Sequence, residues 1–205
     1  DALAPLGLFG LAVPARFGGL GLSTTSWTRV LEELAHIDAS VALTLGTHVS
    51  LGTQGLLLFG SEEQKSHWLP RLASGEVLAA FALTEAEAGS DVAALRCRAQ
   101  PTGDGGYLLT GRKVRITNGG EAGLFTVFAR VDGIAGEREG ITAFLVPLGP
   151  GLSAGPKEPT LGIRGSSTAD VFLDEVKVEA DQLLGPVGSG FKIAMEILNR
   201  SRLAI

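Results

Sequence analysis

The spacing of apolar residues changes near residue 77, and this change constrains the fold more than any other feature of the sequence. Before it, apolar residues recur every three or four positions, which predicts helices. After it, short apolar runs are separated by Gly, Pro, Asp and Asn clusters, which predicts strands joined by turns. Because no regular helical pattern interrupts those runs, an alternating βαβ sheet is not expected.

Three helices are predicted in the first part. The first begins at an N-cap formed by Thr25 or Ser26. Its apolar face is formed by Val30, Leu31, Leu34 and Ile37. The second covers 42–59, where a charge-free stretch reaches the length of a membrane span, but its glycines, His and hydroxyls favour a buried helix of a soluble bundle. Ser61 and Gln64 have the spacing of a capping box and predict the start of the third.

Six strand-like runs follow: VLAAFALT, ALRCRAQ, GYLLTGRKVRIT, LFTVFARV, ITAFLVP and DVFLDEVKV. They predict a compact antiparallel β domain. The helical period returns near Gly188. The predicted fold is therefore α+β, with an N-terminal helical domain (1–76), a middle β domain (77–181) and the start of a C-terminal helical domain (182–205). The absence of an initial Met and the apolar periodicity at the last residues predict a fragment of a longer chain.

Composition excludes several classes of function. The formal net charge is -5 and no Lys/Arg-rich block is present, so nucleic-acid binding is not expected. A single cysteine, Cys97, cannot form an internal disulfide, and no Cys/His cluster has the spacing of metal ligands. The sequence therefore predicts a metal-free protein of a reducing compartment.

The stretch FALTEAEAGSDVAA, residues 81–94, ends an apolar run in a polar turn. The hydroxyls of Thr84 and Ser90, flexible Gly89 and backbone N–H groups are expected around one concave spot, which suits a polar or anionic ligand. Alternatively, Ser90 and Asp91 only form a turn, and local chemistry alone favours this simpler interpretation.

The segment ALTEAEAGSDVAA resembles the signature of the acyl-CoA dehydrogenase family. Further segments look like family segments in family order: GLFGLAVPARFGGLGLS, LLLFGSEEQKSHWLPRLASGE, GRKVRITNGG, ITAFLVP, LGIRGSSTADVFLDEVKV and GPVGSGFKIAMEILNRSR. The resemblance implies a helical domain, a middle β domain and a C-terminal helical bundle. It also implies an FAD enzyme that converts an acyl-CoA to the trans-2-enoyl-CoA in fatty acid β-oxidation.

The resemblance also implies which residues bind the cofactor. These are Phe81, Ala82, Leu83, Thr84, Glu85, Ser90, Arg115, Ile116 and Thr117. Thr84 is expected at the pyrimidine end of the flavin ring, Thr117 near the nitrogen that takes the hydride, and Ser90 where cofactor phosphate and CoA pantetheine meet. The sequence ITNGG also predicts a hairpin turn, and both roles can hold together. Arg115 stands where the family usually has an aromatic residue.

No catalytic residue is assigned, because the family's catalytic carboxylate comes from the C-terminal bundle and is expected beyond residue 205. Glu85 and Glu87 are interpreted as structural or solvent-facing rather than as substitutes. Besides Ser90, the resemblance implies substrate contacts at Phe191, Asn199 and Arg202, although Asn199 replaces a frequent Asp. For the last two, an ordinary solvated helix end is the alternative.

Within the family, the closest resemblance is to the very-long-chain branch. Gly52 and Gly55 lie three positions apart and are expected on one helix face, where the family's acyl pocket ends. The absence of side chains there would leave room for a long acyl chain. Alternatively, the two glycines only permit close packing of helices. Helix geometry alone does not decide between the two.

Family resemblance implies an acyl-CoA substrate, an electron-transfer flavoprotein as oxidant, and a homodimer or homotetramer. Two alternatives stay open: an acyl-CoA oxidase or flavin monooxygenase type of enzyme, to which Arg115 points, and a non-enzymatic assembly factor of the same fold. The expected location is the bacterial cytoplasm, or in a eukaryote the mitochondrial matrix or inner-membrane face.

Overall fold

A computed structural model of the chain describes residues 3–134 and 140–203. Helices come first, a seven-stranded sheet follows, and one further helix comes after the sheet. The predicted α+β fold class is confirmed. The domain boundaries after residues 76 and 181 stay a prediction.

Four α-helices precede the sheet in the described residues. They are α1 (Thr24–Ile37), α2 (Ala39–Thr47), α3 (Gln54–Phe59) and α4 (Glu62–Ala73). The N-cap of α1 is Ser23 rather than Thr25 or Ser26, and its Oγ accepts the Ser26 amide at 3.2 Å. The predicted apolar face is wrong at Ile37, which is 86% exposed because α1 ends there.

The helix predicted over 42–59 is continuous from Ala39 to Phe59 but contains a π-turn, His48–Gly52. It is long and apolar enough to cross a membrane by length and composition, yet 67% of its most apolar window is buried inside the protein. His48 is the first residue of the π-turn, and its ring is buried. Its Nδ1 accepts the Ala79 amide at 2.9 Å, and Nε2 lies 3.1 Å from the Leu72 carbonyl. Its role therefore is to join the helix, α4 and the sheet.

The capping box predicted at the start of α4 is confirmed. Ser61 Oγ accepts the Gln64 amide at 3.1 Å, and Gln64 Oε1 accepts the Ser61 amide at 3.0 Å. The same Gln64 side chain donates to the carbonyls of Asp181 and Leu183, at 2.6 and 2.8 Å. Gln64 thus caps the start of α4 and also attaches this helix to the segment after the sheet.

The seven strands run in the order β1, β4, β2, β3, β7, β6, and β5 pairs with β4. They are β1 (Ala79–Ala82), β2 (Arg98–Pro101), β3 (Tyr107–Thr117), β4 (Leu124–Val131), β5 (Ile141–Pro147), β6 (Leu152–Ala154) and β7 (Thr168–Val178). All six predicted strands form, and β6 was not predicted. The antiparallel prediction needs one correction, because β1 and β2 both pair with β4 in parallel. Long connections allow β4 to return in the same direction.

The two faces of the sheet belong to different apolar clusters. Along β4, Leu124 and Phe128 pack with the helices, whereas Phe125 and Val127 pack with the other strands. The last helix, α5 (Gly190–Ser201), has the predicted apolar spacing. Its Ile193, Ala194 and Ile197 join the helix-facing cluster, together with residues of α3, α4, β1, β4 and β5. Helices and sheet therefore share one core.

The buried His48 generates a prediction for the pH dependence of stability. Burial lowers the pKa of His48 to about 4, below its value of about 6.5 in an unfolded chain. The folded state therefore favours the neutral ring. Above pH 6.5 the ring is neutral in both states, but as the pH falls from 6.5 towards 4 only the unfolded chain binds a proton, so the free energy of unfolding decreases. Between pH 7 and pH 5 we expect this group alone to cost about 2 kcal/mol of unfolding free energy.

Urea unfolding at both pH values checks this expectation. His48→Gln should lose less stability between pH 7 and pH 5 than the unaltered protein, because Gln does not titrate. His36→Gln, at an exposed position of α1, should lose as much as the unaltered protein. Equal losses in all three proteins would contradict the assignment.

Candidate functional site

A β-bulge in β3 lies at the centre of the candidate site. The pairing of β3 with β7 shifts between Lys113 and Ile116, so that Val114 and Arg115 together face the single residue Asp170. The Asp170 side chain accepts the Arg115 amide at 3.2 Å, which compensates for part of the interrupted ladder. Such an insertion bends the strand and turns one amide out of the sheet.

The amide that is released by the bulge joins the two segments predicted to bind the cofactor. Val114 N–H donates to the carbonyl of Thr84 at 2.9 Å. The end of the 81–85 segment is therefore held against the 115–117 segment, although the two lie about thirty positions apart in sequence. Their proximity is the main geometric feature that the sequence patterns did not contain.

Backbone strain concentrates around this site. Among the described residues, four non-glycine residues have positive φ: Arg115 (55°), Asn118 (64°), Ile163 (55°) and Glu175 (49°). Two of them flank the dipeptide Ile116–Thr117. Left-handed backbone at such residues is costly and tends to occur where function requires it.

Asn118 fixes the turn that follows Thr117. Its side chain is buried, and Nδ2 donates to the carbonyls of Thr44 and Ala79, at 3.1 and 3.3 Å. Asn tolerates the left-handed conformation better than most residues. The predicted turn at ITNGG is present, with Gly119 N–H donating to the Ile116 carbonyl. It is not a hairpin, because β3 pairs with β2 and β7 rather than with β4.

A cavity of about 320 Å³ opens beside the bulge. It is lined by Thr84, Glu85, Ala86, Gly89, Arg112, Val114, Arg115, Glu158 and Asp170. Charges of both signs surround it, and Arg112 is paired with Asp170, its Nε lying 3.0 Å from Oδ2. This lining suits a polar ligand better than an apolar one.

The predicted cofactor residues divide by what they can offer. Thr84, Glu85 and Arg115 line the cavity. The side chains of Ala82, Leu83 and Ile116 are buried in apolar clusters, so only their backbones can meet a ligand.

Three predicted residues, Phe81, Ser90 and Thr117, do not line the cavity. The Phe81 ring packs against Phe128 with centroids 5.0 Å apart. Ser90 is exposed, whereas Thr117 is half-buried and pairs with Thr168 of β7. Of the three, Thr117 combines a hydroxyl with a position fixed by a strand.

A buried ion pair underlies this region and was missed by sequence reasoning. Lys113 Nζ lies 2.7 Å from Glu85 Oε1, with the Lys side chain 0% exposed. Glu85 also accepts the amides of Arg96 (2.6 Å) and Cys97 (3.0 Å), so its carboxylate is structural, as interpreted, and is not available to a ligand. The only indication of this pair in the sequence was one residue of each charge: Glu85 in the segment ALTEAEAGSDVAA and Lys113 in the segment GRKVRITNGG. Glu87 is solvent-facing, and its carboxylate lies 2.7 Å from the Arg96 guanidinium.

Gly52 supports the packing interpretation. A Cβ added there would lie 2.5 Å from the Ala79 Cβ and 2.8 Å from its carbonyl carbon, so the expectation of open space at Gly52 is wrong. At Gly55 the atoms nearest an added Cβ would belong to side chains: Leu184 at 3.0 Å, Ile197 at 3.1 Å and Thr126 Oγ1 at 3.6 Å. Side-chain ends can shift, whereas strand backbone cannot.

The predicted substrate residues of α5 do not line the cavity. Phe191 is partly buried against the helix-facing cluster. Asn199 and Arg202 are exposed, and Arg202 Nη1 donates to Asn199 Oδ1 at 3.3 Å, the geometry of an ordinary solvated helix end.

Two further features bear on ligands. A cleft of about 930 Å³ lies between the start of α4 and residues 179–185, and none of the predicted site residues lines it. In the described residues, no three His, Cys, Asp or Glu side chains are grouped so that they could hold a metal ion.

Comparisons with known proteins complete the description. The family model described as acyl-CoA dehydrogenase, N-terminal domain, matches residues 1–76, and the model for the middle domain matches 80–176. The human very long-chain specific acyl-CoA dehydrogenase, a mitochondrial protein by its name, is 49% identical over 100% of the chain. The structure of butyryl-CoA dehydrogenase from Megasphaera elsdenii matches 98% of the chain with a TM-score of 0.94 and 41% identity. That of an acyl-CoA dehydrogenase from Bacillus anthracis complexed with FAD matches 98% with a TM-score of 0.91 and 40% identity.

These relatives are longer than the chain. It spans 32% of the human relative, 54% of the Megasphaera protein and 34% of the Bacillus protein. The matched part contains the bulge, the turn and the cavity described above.

The left-handed backbone at the bulge predicts an unusual response to substitution at Arg115. Asn adopts this conformation readily and should leave the unfolding free energy within about 0.5 kcal/mol of the original. A β-branched residue does not, so Arg115→Val should cost about 1–2 kcal/mol. Gln100→Val, at an exposed position of β2 with regular pairing to β3, should be neutral or stabilising. Urea unfolding measures all three, and similar effects of the two Val substitutions would rule out the bulge conformation.

Proposed function

The chain belongs to the acyl-CoA dehydrogenase family, and from this premise we propose that it serves the FAD-dependent α,β-dehydrogenation of a fatty acyl-CoA to the trans-2-enoyl-CoA. The observation that carries the proposal is the hydrogen bond from Val114 to Thr84, which joins the two motif segments beside a polar cavity. The proposed role is in fatty acid β-oxidation.

The residues present fit a flavin. The backbones of 81–85 and 115–117 end beside each other, Thr84 and Thr117 bring hydroxyls, and the turn after Thr117 is held rigid by Asn118. A strained, over-determined backbone of this kind suits a preorganised site. These residues would hold the ring by backbone and hydroxyl contacts. When bound, FAD supplies the acceptor for the hydride that leaves the acyl chain.

The chain's own groups contribute binding and orientation. We assign Thr117 Oγ1 as a hydrogen-bond donor to the ring and Thr84 as a contact at its pyrimidine end. Lys113 and Glu85 are paired below the surface, so their opposite charges leave little net field at the cavity. Arg115 is exposed and supplies a hydrated cation at the rim. Ser90, also exposed, is proposed to contact the polar part of the cofactor or of CoA.

A long acyl chain is proposed as the substrate. The 49% identity to a relative named for very long chains supports it. Gly55 stays a proposed border of the acyl site, because the atoms nearest an added Cβ belong to side chains rather than to backbone, whereas Gly52 adds no support. Phe191, half-buried on α5, is proposed as a wall of the acyl site. Asn199 and Arg202 stay proposed contacts on the strength of the resemblance.

An electron-transfer flavoprotein is the proposed oxidant, in a homodimer or homotetramer, in the bacterial cytoplasm or the mitochondrion. The second candidate is an acyl-CoA oxidase, to which the presence of Arg115 at the cavity rim points. Peroxide release on aerobic addition of acyl-CoA distinguishes the oxidase from the dehydrogenase.

Anaerobic reduction of the flavin tests the proposed function. The full-length protein should bind FAD, and its yellow absorbance should bleach when palmitoyl-CoA is added. In Thr117→Val, which keeps the shape and the strand but removes the donor, we expect bleaching to slow by about ten- to a hundredfold, as the loss of one hydrogen bond to the ring predicts. Thr168→Val, its partner across the sheet, should reduce at nearly the original rate. A protein that stays colourless with excess FAD would refute the function, and equal rates in both variants would return Thr117 to a structural role.

Substitution of Gly55 tests the proposed chain length. If Gly55 borders the acyl site, Gly55→Gln should lower kcat/KM for C16 to C20 substrates far more than for C8, because each excluded methylene is worth about 0.8 kcal/mol. Gly52→Ala, which meets the Ala79 backbone, should lower the melting temperature and affect all substrates alike. If Gly55→Gln behaves in the same uniform way, Gly55 no longer supports a long-chain substrate.

A further inference from the structure

The ammonium group of Lys113 lies in the protein interior and bridges the two segments proposed to hold the flavin. Nζ donates to the carbonyl of Leu83 at 3.1 Å and to Glu85 Oε1 at 2.7 Å, and the Lys side chain is fully buried. Lys113 itself is the last regularly paired residue of β3 before the bulge. The group thus connects β3 to the backbone on one side of Thr84 and to the side chain on the other.

The partners of Glu85 extend this bridge to a third segment. Its Oε1 accepts from Lys113 and from the Cys97 amide, and its Oε2 accepts from the Arg96 amide. Three donors therefore converge on one carboxylate that is almost completely buried. The chain before β2, the turn after β1 and the strand β3 all meet at this carboxylate.

Stability alone is a weak reason for such a pair. Removing two charges from water is costly, and well-packed apolar residues often stabilise a core as well as a buried ion pair does. What the pair adds is a fixed alignment of the turn with β3. Together with the hydrogen bond from Val114 to Thr84, it leaves residues 83, 84 and 85 each hydrogen-bonded to residue 113 or 114. The turn cannot shift along β3 without breaking three bonds together.

We propose that Lys113 is a positioning residue of the flavin site. Its hydrogen bonds to Leu83 and Glu85 fix the position of Thr84 relative to residues 115–117. Both segments can therefore contact the flavin ring without rearrangement. The inference rests on the proposed function and deepens it, because Lys113 makes no contact with the ligand and acts through the residues on either side of Thr84.

Two variants separate positioning from simple loss of stability. Lys113→Met keeps an unbranched side chain that is one atom shorter, removes the ammonium and leaves the Glu85 carboxylate without its cation. The double variant Lys113→Met with Glu85→Gln also removes that buried charge, so it should recover part of the lost stability. It still lacks the hydrogen bond to the Leu83 carbonyl, so the position of Thr84 relative to residues 115–117 is held less firmly than in the unaltered protein. Leu31→Ala is the control, since Leu31 is buried in a separate cluster around α1 and α2 and its truncation lowers stability without touching the site.

The first measurement needs no cofactor. In the full-length apoprotein, the amides of Arg96, Cys97 and Val114 should exchange with solvent about tenfold faster or more in Lys113→Met and in the double variant than in Leu31→Ala. The second measurement is FAD affinity by titration. The dissociation constant should rise about tenfold or more in both Lys113 variants relative to Leu31→Ala.

The outcomes are distinct. If the unaltered protein binds no FAD, the proposed function fails and the inference fails with it. If it binds FAD and the Lys113 variants bind as tightly as Leu31→Ala, with equal amide exchange, the inference alone is overturned and Lys113 is only structural. If Lys113→Met does not fold, the double variant decides by the same two comparisons.

Discussion

One edge of strand β1 determines how the site is assembled. β1 pairs with β4 alone, so the backbone groups on its other edge need partners from elsewhere. Three buried polar side chains supply them: His48 accepts the Ala79 amide, Asn118 donates to the Ala79 carbonyl, and Lys113 donates to the Leu83 carbonyl. One comes from the π-turn of a helix and two from β3 and its turn. Ala79 and, just after the strand, Leu83 therefore have partners on this edge, and two of the three partners come from β3 and its turn, which border the site.

This closure makes the bulge in β3 more than a local irregularity. Val114, whose amide donates to the Thr84 carbonyl, lies inside the bulge, and Lys113, whose Nζ donates to the Leu83 carbonyl, lies just before it. The cost is left-handed backbone at Arg115, which the Asp170 side chain offsets by accepting the amide. Strain, edge closure and site geometry therefore have one origin.

Local signals were enough for part of the structure. The capping box at Ser61 and the strands β4 and β5 were predicted to the residue, because a capping side chain or a turn residue marks each boundary. The bulge, the parallel pairing of β1 and the Lys113–Glu85 pair were not predicted. Each depends on residues that are distant in sequence, and no short-range period encodes them. Gly52 was misjudged for the same reason, since the backbone that fills its space belongs to β1.

The position of Arg115 limits what its charge can do. An aromatic residue acts by surface contact, whereas an exposed guanidinium at the rim of the cavity keeps most of its hydration, and the high effective dielectric at the surface weakens its field. A buried cation in the same region, Lys113, is neutralised by Glu85. The net electrostatic effect of both cations on a bound ring is therefore small, and the residue at position 115 changes access to the cavity more than its potential. Within the proposed function, the residue at position 115 therefore bears on the choice between oxidase and dehydrogenase through the access of oxygen or of a partner protein to the cavity.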